Sequence, residues 1–172
     1  MDLHTINENE DESHLSNAAR GLISGFLGGL AGSAVKSTVE QFLDVRKVDH
    51  TSAQIKIIDD LSTTLTGSPI KTKNEGWAEQ LVNVPLGASV GAAYGYSKRD
   101  QEEVNIIDGA VLGATTWAST HESTLPMLGL ERSPEKIPVK TQLHELFAHV
   151  LFGVTTEIVR GFVSHQLRER EE

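Results

Sequence analysis

The sequence contains no cysteine. Disulfide scaffolds, thiolate zinc sites, thiol nucleophiles and iron–sulfur ligation are thereby excluded together. Basic residues are also scarce, with 15 Lys and Arg against 24 Asp and Glu and a formal net charge of -9. A surface that tracks phosphates needs the opposite balance, so no nucleic-acid partner is expected. Aromatic residues make up only 5% of the chain, which leaves Trp77, Trp117, Tyr94 and Tyr96 as interface anchors or packing residues rather than a ligand cage. No G-x-S-x-G, Walker A or Rossmann glycine spacing is present, and no stretch alternates for long enough to make a sheet. The composition therefore points to an all-α chain without a recognisable catalytic or cofactor motif.

What the sequence does contain is segregated. Mean hydropathy is -0.22, yet polar ends flank charge-free stretches rich in glycine and alanine. Residues 1–17 read as a disordered acidic tail, with Asp2, Glu8, Glu10, Asp11 and Glu12 and little to bury. No secretory signal fits, because the start is acidic and the first apolar run begins only after Arg20. Residues 18–167 read as one helical domain and 168–172 as a charged tail. Within the domain, Gly21–Val35 carries no charge and continues at helical spacing through Val39, Phe42 and Leu43. Ile55, Ile58, Leu61 and Leu65 then fall on one face behind a Thr/Ser cap, predicting a short amphipathic surface helix that stops at Gly67. Leu81–Ser97 forms a second long segment holding Pro85, and residues 104–130 form a third, broken near Pro126 and Gly129. After a proline-containing linker, residues 143–167 form a fourth. Four long Gly/Ala-rich helices plus the short one between the first two are expected.

Whether these helices face water or lipid turns on length and on glycine. A spanning helix needs about twenty mostly apolar residues, whereas the charge-free runs of the second and first segments cover roughly 25 Å and 22 Å at 1.5 Å per residue. Arg20 and Lys36 could snorkel to opposite interfaces. The glycines fall four apart: Gly21, Gly25 and Gly29, with Gly28 and Gly32 beside them, then Gly87, Gly91 and Gly95, and Gly109 and Gly113. Gly153 lies in the fourth helix. An interior glycine costs a helix about 1 kcal/mol relative to alanine, so such rows need a packing reason. Close backbone approach in lipid supplies one. A soluble bundle with tight crossings is the competing reading.

Ionisable residues inside these segments mark the candidate site. Glu145, His149, Gly153, Glu157, Gly161 and His165 form a ridge at spacing four, while Asp108, Thr115 and Glu122 recur every seven residues in the third segment. Asp108, His121, Glu122, Glu145, His149 and Glu157 are thus expected as a buried polar cluster, with His149 bonded to Glu122, Glu145 or Glu157. Such a cluster either fixes helix register or relays protons or ions, and no catalytic residue is assigned. HELFAH is not a zincin motif, since its histidines sit five apart and project about 140° from each other. Glu145 and His149 could share an N/O-ligated metal with His121 and Glu122; the reading adopted assigns no metal and no cofactor.

Several segments together resemble the YagU-like family of small, largely uncharacterised bacterial inner-membrane proteins. They are the glycine-rich opening helix, AQIKIIDDLSTTLTGSPI, the helix ending GAAYG at Gly91–Gly95, Trp117, the His121–Glu122 pair, LPMLGL, and HVLFGVTTEIV from His149. Members carry a histidine ahead of the tandem glycines, where this chain has Asn83. The resemblance implies a multi-helix inner-membrane protein and supplies no reaction, substrate or cofactor; the reading adopted is a non-enzymatic, multi-pass protein, with the lipid bilayer as its partner and homo-oligomerisation open. The short loop at Lys98 and Arg99 places both termini in the cytoplasm. The alternatives are a soluble or peripheral helical interaction domain and an N/O-ligated metal-binding protein.

Overall fold

The computed structural model describes residues 3–43, 52–101 and 103–169, with side chains from Asn17 onward except Thr72. The α-helices are α1 (Leu3–Phe42), α2 (Ala53–Thr66), α3 (Glu75–Ser97), α4 (Ile106–Ser119), the single turn α5 (Leu125–Met127) and α6 (Val139–Glu169). No strand occurs among the described residues. α1 begins at Leu3, within the segment expected as a disordered tail, and α6 runs through Glu169; residues 170–172 of the charged tail lie outside the described residues.

Local chemistry sets several boundaries. The Ser52 side chain accepts a hydrogen bond from the Ile55 amide at the start of α2, and Gly67, at φ 76°, ends the helix in the left-handed region open to glycine. α3 continues through Pro85. Beyond α4 the backbone widens into a π turn over Thr120–Thr124. Pro126 has no amide hydrogen for the Glu122 carbonyl, and its ring would crowd that carbonyl in an ordinary α-turn. The wider turn relieves the conflict, with the Leu125 amide donating to the Thr120 carbonyl. Gly129, at φ 70°, then turns the chain back, and the Leu130 and Glu131 amides both donate to the Leu125 carbonyl.

α1 packs along both α3 and α6, and α4 packs along α6, giving the order α3–α1–α6–α4, while α2 lies on α3. Glycine positions define the register. Gly21, Gly25 and Gly29 lie against Gly95, Gly91 and Gly87, so α1 and α3 are antiparallel. Gly28 and Gly32 meet Thr156 and Phe152 of α6, while Gly109 and Gly113 meet Gly153 and His149, so α6 is antiparallel to both α1 and α4. A methyl group at Gly21 would stand 2.7 Å from the Gly95 carbonyl oxygen, one at Gly28 2.5 Å from that of Thr156, and one at Gly109 2.8 Å from that of Gly153. Each seam therefore brings backbone to backbone and admits no side chain.

The segregation of side chains is inverted relative to a water-soluble core. Six apolar side chains are buried among the described residues, five of them alanine or isoleucine at Ala53, Ile55, Ala78, Ala88 and Ala148, against eleven polar or charged ones. Leu22, Ile23, Phe26, Ile107, Phe147 and Phe162 point outward, between 44% and 73% exposed. Among the described residues, two helices, Asn17–Phe42 and Val139–Glu169, are long and apolar enough to cross a membrane. That corrects the expectation of four such helices. α4 has only 14 residues before the π turn, about 21 Å of helix, and α3 carries Glu75, Glu79, Asn83 and Pro85 among its glycines.

Candidate functional site

The residues expected as a single buried polar cluster divide into two groups at different levels along α6. Eight residues of α6 separate His149 from Glu157, about 12 Å along the axis. Asp108 joins the second group's end but not its centre, pairing with Lys98 at 2.7 Å. Glu122 is half-buried and has no hydrogen-bond partner among the described residues.

The group around Glu157 is the more deeply enclosed. Glu157 and Arg160 are each 1% exposed. The Arg160 guanidinium donates to both carboxylate oxygens, Nε to Oε2 at 2.6 Å and Nη2 to Oε1 at 2.8 Å. Nη1 also donates to the Gln101 carbonyl at 3.0 Å, while the Asn105 amide donates to Glu157 Oε1 at 2.9 Å. One ion pair on α6 thus gathers the connection between α3 and α4, with its polar atoms spent on backbone partners. Arg160 carries this arrangement without having been singled out in the sequence. Its signal is a lone arginine one helical turn after Glu157 inside an apolar segment.

The other group lies where the π turn, the loop after Gly129 and the second turn of α6 meet. His121 Nδ1 donates to Glu131 at 2.9 Å to Oε2, with Oε1 at 3.2 Å. Glu145 Oε2 is 3.9 Å from the same nitrogen. The rings of His121 and His149 meet edge to face with centroids 5.1 Å apart. His149 was expected to bond a carboxylate, but its Nδ1 instead donates to the backbone carbonyl of Glu145 at 2.8 Å. This i, i+4 bond turns the ring back onto its own helix instead of across to a carboxylate. Glu131, read from sequence as the start of a linker, is the partner that was missed. Gly129 makes its position possible, and a chain reversal of that kind has no periodic signature.

A cavity of about 100 Å³ opens beside this group, lined by His121, His149, Asn83, Gln54, Thr116, Thr120 and Lys36 among apolar neighbours. Lys36 is held by Glu40 at 2.6 Å. α2 closes one side, anchored by Ser52 Oγ to Glu79 at 2.7 Å, Gln54 Nε2 to Asn83 at 3.0 Å and Lys56 Nζ to the Leu130 carbonyl at 2.8 Å.

Residues 30–158, which include the His121 group and Glu157 but stop short of Arg160, match the family model described as protein of unknown function, DUF1440. The chain belongs to the DUF1440 family. No curated protein and no solved structure matches it. The family carries no assigned activity, so function in this DUF1440 member rests on the geometry of its two polar groups and the outward apolar faces around them.

Proposed function

We propose that this DUF1440 member is a non-enzymatic, multi-pass protein of the bacterial inner membrane, of the YagU-like kind, whose buried polar groups serve different ends. The Glu157–Arg160 group is structural. The His121–Glu131–Glu145–His149 group, beside its cavity, passes or holds a proton or small ion. The observation that carries the membrane reading is the inversion of the core, with large apolar side chains outside and glycine, hydroxyl and charged groups inside. Water would penalise such an arrangement, whereas lipid favours it, because close backbone seams drive association there and buried polar groups find partners within the bundle.

On this reading α1 and α6 cross the bilayer. α3 and α4 accompany them, presenting Leu81, Leu86, Ile106, Ile107 and Val111 to lipid, and α4 gains length from the helical backbone continuing through Met127. The antiparallel order puts the start of α1, the end of α6 and the loop with Lys98 and Arg99 at one face, assigned to the cytoplasm. Alkaline carbonate washing of membranes from expressing cells tests the proposal: the chain stays in the pellet. Release into the supernatant, together with a monodisperse species in detergent-free buffer, overturns it. Phosphatase fusions to both termini are expected to be inactive and a fusion in the 131–138 linker active.

A further inference from the structure

The His121 group has an excess of electron-pair donors over hydrogens. Two carboxylates, Glu131 and Glu145, converge on a single imidazole N–H. Lys36, the nearby cation lining the cavity, is already engaged by Glu40. One ligand atom each from His121, Glu131 and Glu145 lies within 4.8 Å of the other two, and all three residues are partly buried. His149 adds an independent sign. It is 4% exposed and lines the cavity, and its Nδ1–H is committed to the Glu145 carbonyl. That bond fixes the tautomer, so Nε2 carries a lone pair, and Nε2 has no hydrogen-bond donor among the described residues. An oriented imidazole nitrogen with no donor, on a buried side chain beside two carboxylates that share one imidazole N–H, is arranged for a cation.

We propose that His121, Glu131 and Glu145 bind one divalent transition-metal ion, with His149 Nε2 as a fourth ligand available from across the edge-to-face ring contact. This assigns the ion to the polar group described above and names its class. The set is all nitrogen and oxygen with no thiolate, which suits zinc, manganese or ferrous iron, and the imidazoles disfavour magnesium and calcium. Ligand atoms about 2.1 Å from a tetrahedral ion stand roughly 3.4 Å apart. His121 Nδ1 is 2.9 Å from Glu131 and 3.9 Å from Glu145, so shifts of well under 1 Å on the order of a rotamer adjustment complete the site. On binding, the single ring proton of His121 moves from Nδ1 to Nε2, so that Nδ1 offers a lone pair, and the ion takes the place that proton held between the carboxylates. The site joins three separate pieces of chain: the π turn, the loop after Gly129 and the start of α6.

The test uses the full chain, purified in detergent micelles or in buffer if it proves soluble, stripped with chelator and titrated with ZnCl2, MnCl2 or MgCl2 alone. Calorimetry is expected to show one zinc or manganese ion per chain and no comparable uptake of magnesium. Glu131→Gln and Glu145→Gln keep side-chain shape and are expected to weaken zinc binding by about tenfold or more, whereas Glu122→Gln, outside the set, leaves it unchanged. Cobalt substitution of the unmutated chain gives a readout that does not depend on variant folding, namely visible bands of N/O coordination that zinc displaces. Absence of stoichiometric zinc and manganese uptake, or binding unaltered in both glutamine variants, or magnesium bound as tightly as zinc, overturns the proposal. Because the titration is read from the chain in either solvent, its outcome is separate from that of the carbonate wash.

Discussion

At the scale of single residues, the sharpest energetic consequence attaches to Arg160. Its guanidinium neutralises Glu157 while holding the backbone of the α3–α4 connection. Arg160→Ala leaves a carboxylate that is 1% exposed without its cation, and removing one partner of a buried pair costs about 3 to 5 kcal/mol. Thermal unfolding followed by circular dichroism is expected to show that loss. The double variant Glu157→Gln with Arg160→Met should recover part of it, because no uncompensated charge then remains. If the single and double variants were equally unstable, the lost contacts of Arg160 to the Gln101 and Glu103 carbonyls would outweigh the charge. Glu157 stood out in the sequence as an acid on a ridge of spacing four, but its partner could not be read there. Three residues along a helix is close enough to pair, yet whether such a pair is buried depends on the loop from another helix that covers it. Glu131 was illegible for a related reason, since only the left-handed turn at Gly129 carries it back toward His121.

At the scale of elements, glycine has two meanings that a substitution separates. In α3, Gly91 sits with the Gly25 carbonyl where its Cβ would be, whereas Gly76 has open space around it. Gly91→Ala is expected to lower stability by about 1 to 3 kcal/mol through overpacking. Gly76→Ala should be neutral or raise it by up to about 1 kcal/mol through helix propensity. Unfolding midpoints of the two variants provide the check, and equal effects would mean that the α1–α3 seam is not close-packed. Helix positions were largely readable because apolar and small residues recur at helical spacing, and the ends of α2 were marked by Ser52 and Gly67. The π turn was not readable. Pro126 announced a break, but the chain widens its helix instead of ending it, since the hydroxyls of Thr116, Ser119, Thr120 and Ser123 all return to carbonyls of the same helix and keep it satisfied.

At the scale of the whole molecule, the solvent decides which interactions count. With leucine, isoleucine and phenylalanine outward, transfer of the bundle from micelles to buffer exposes apolar surface worth about 25 cal/mol per Å². Dilution below the critical micelle concentration is therefore expected to cause aggregation, visible by light scattering. A clear, monomeric solution would place the chain among soluble bundles. The low mean hydropathy that made the sequence ambiguous follows from the same architecture, because an interior built of glycine, serine and a few charges lowers the average without altering the faces that lipid would meet.

The α1–α3 seam carries a degeneracy of its own. Three glycines on one helix facing three on the other make a ladder whose rungs are interchangeable, so a slide of one rung, about 6 Å along the axis, still sets glycine against glycine. Nothing in the rungs themselves selects the native alignment. The choice falls to pins beyond the ladder, where Ser37 Oγ donates to Gln80 at 3.2 Å and Ser52, on the far side of the α1–α2 connection, reaches Glu79 at 2.7 Å. Two hydroxyls at one end thereby act as the stop of a sliding rule, and the position of everything that α3 brings to the cavity, Asn83 included, is set by where that stop engages.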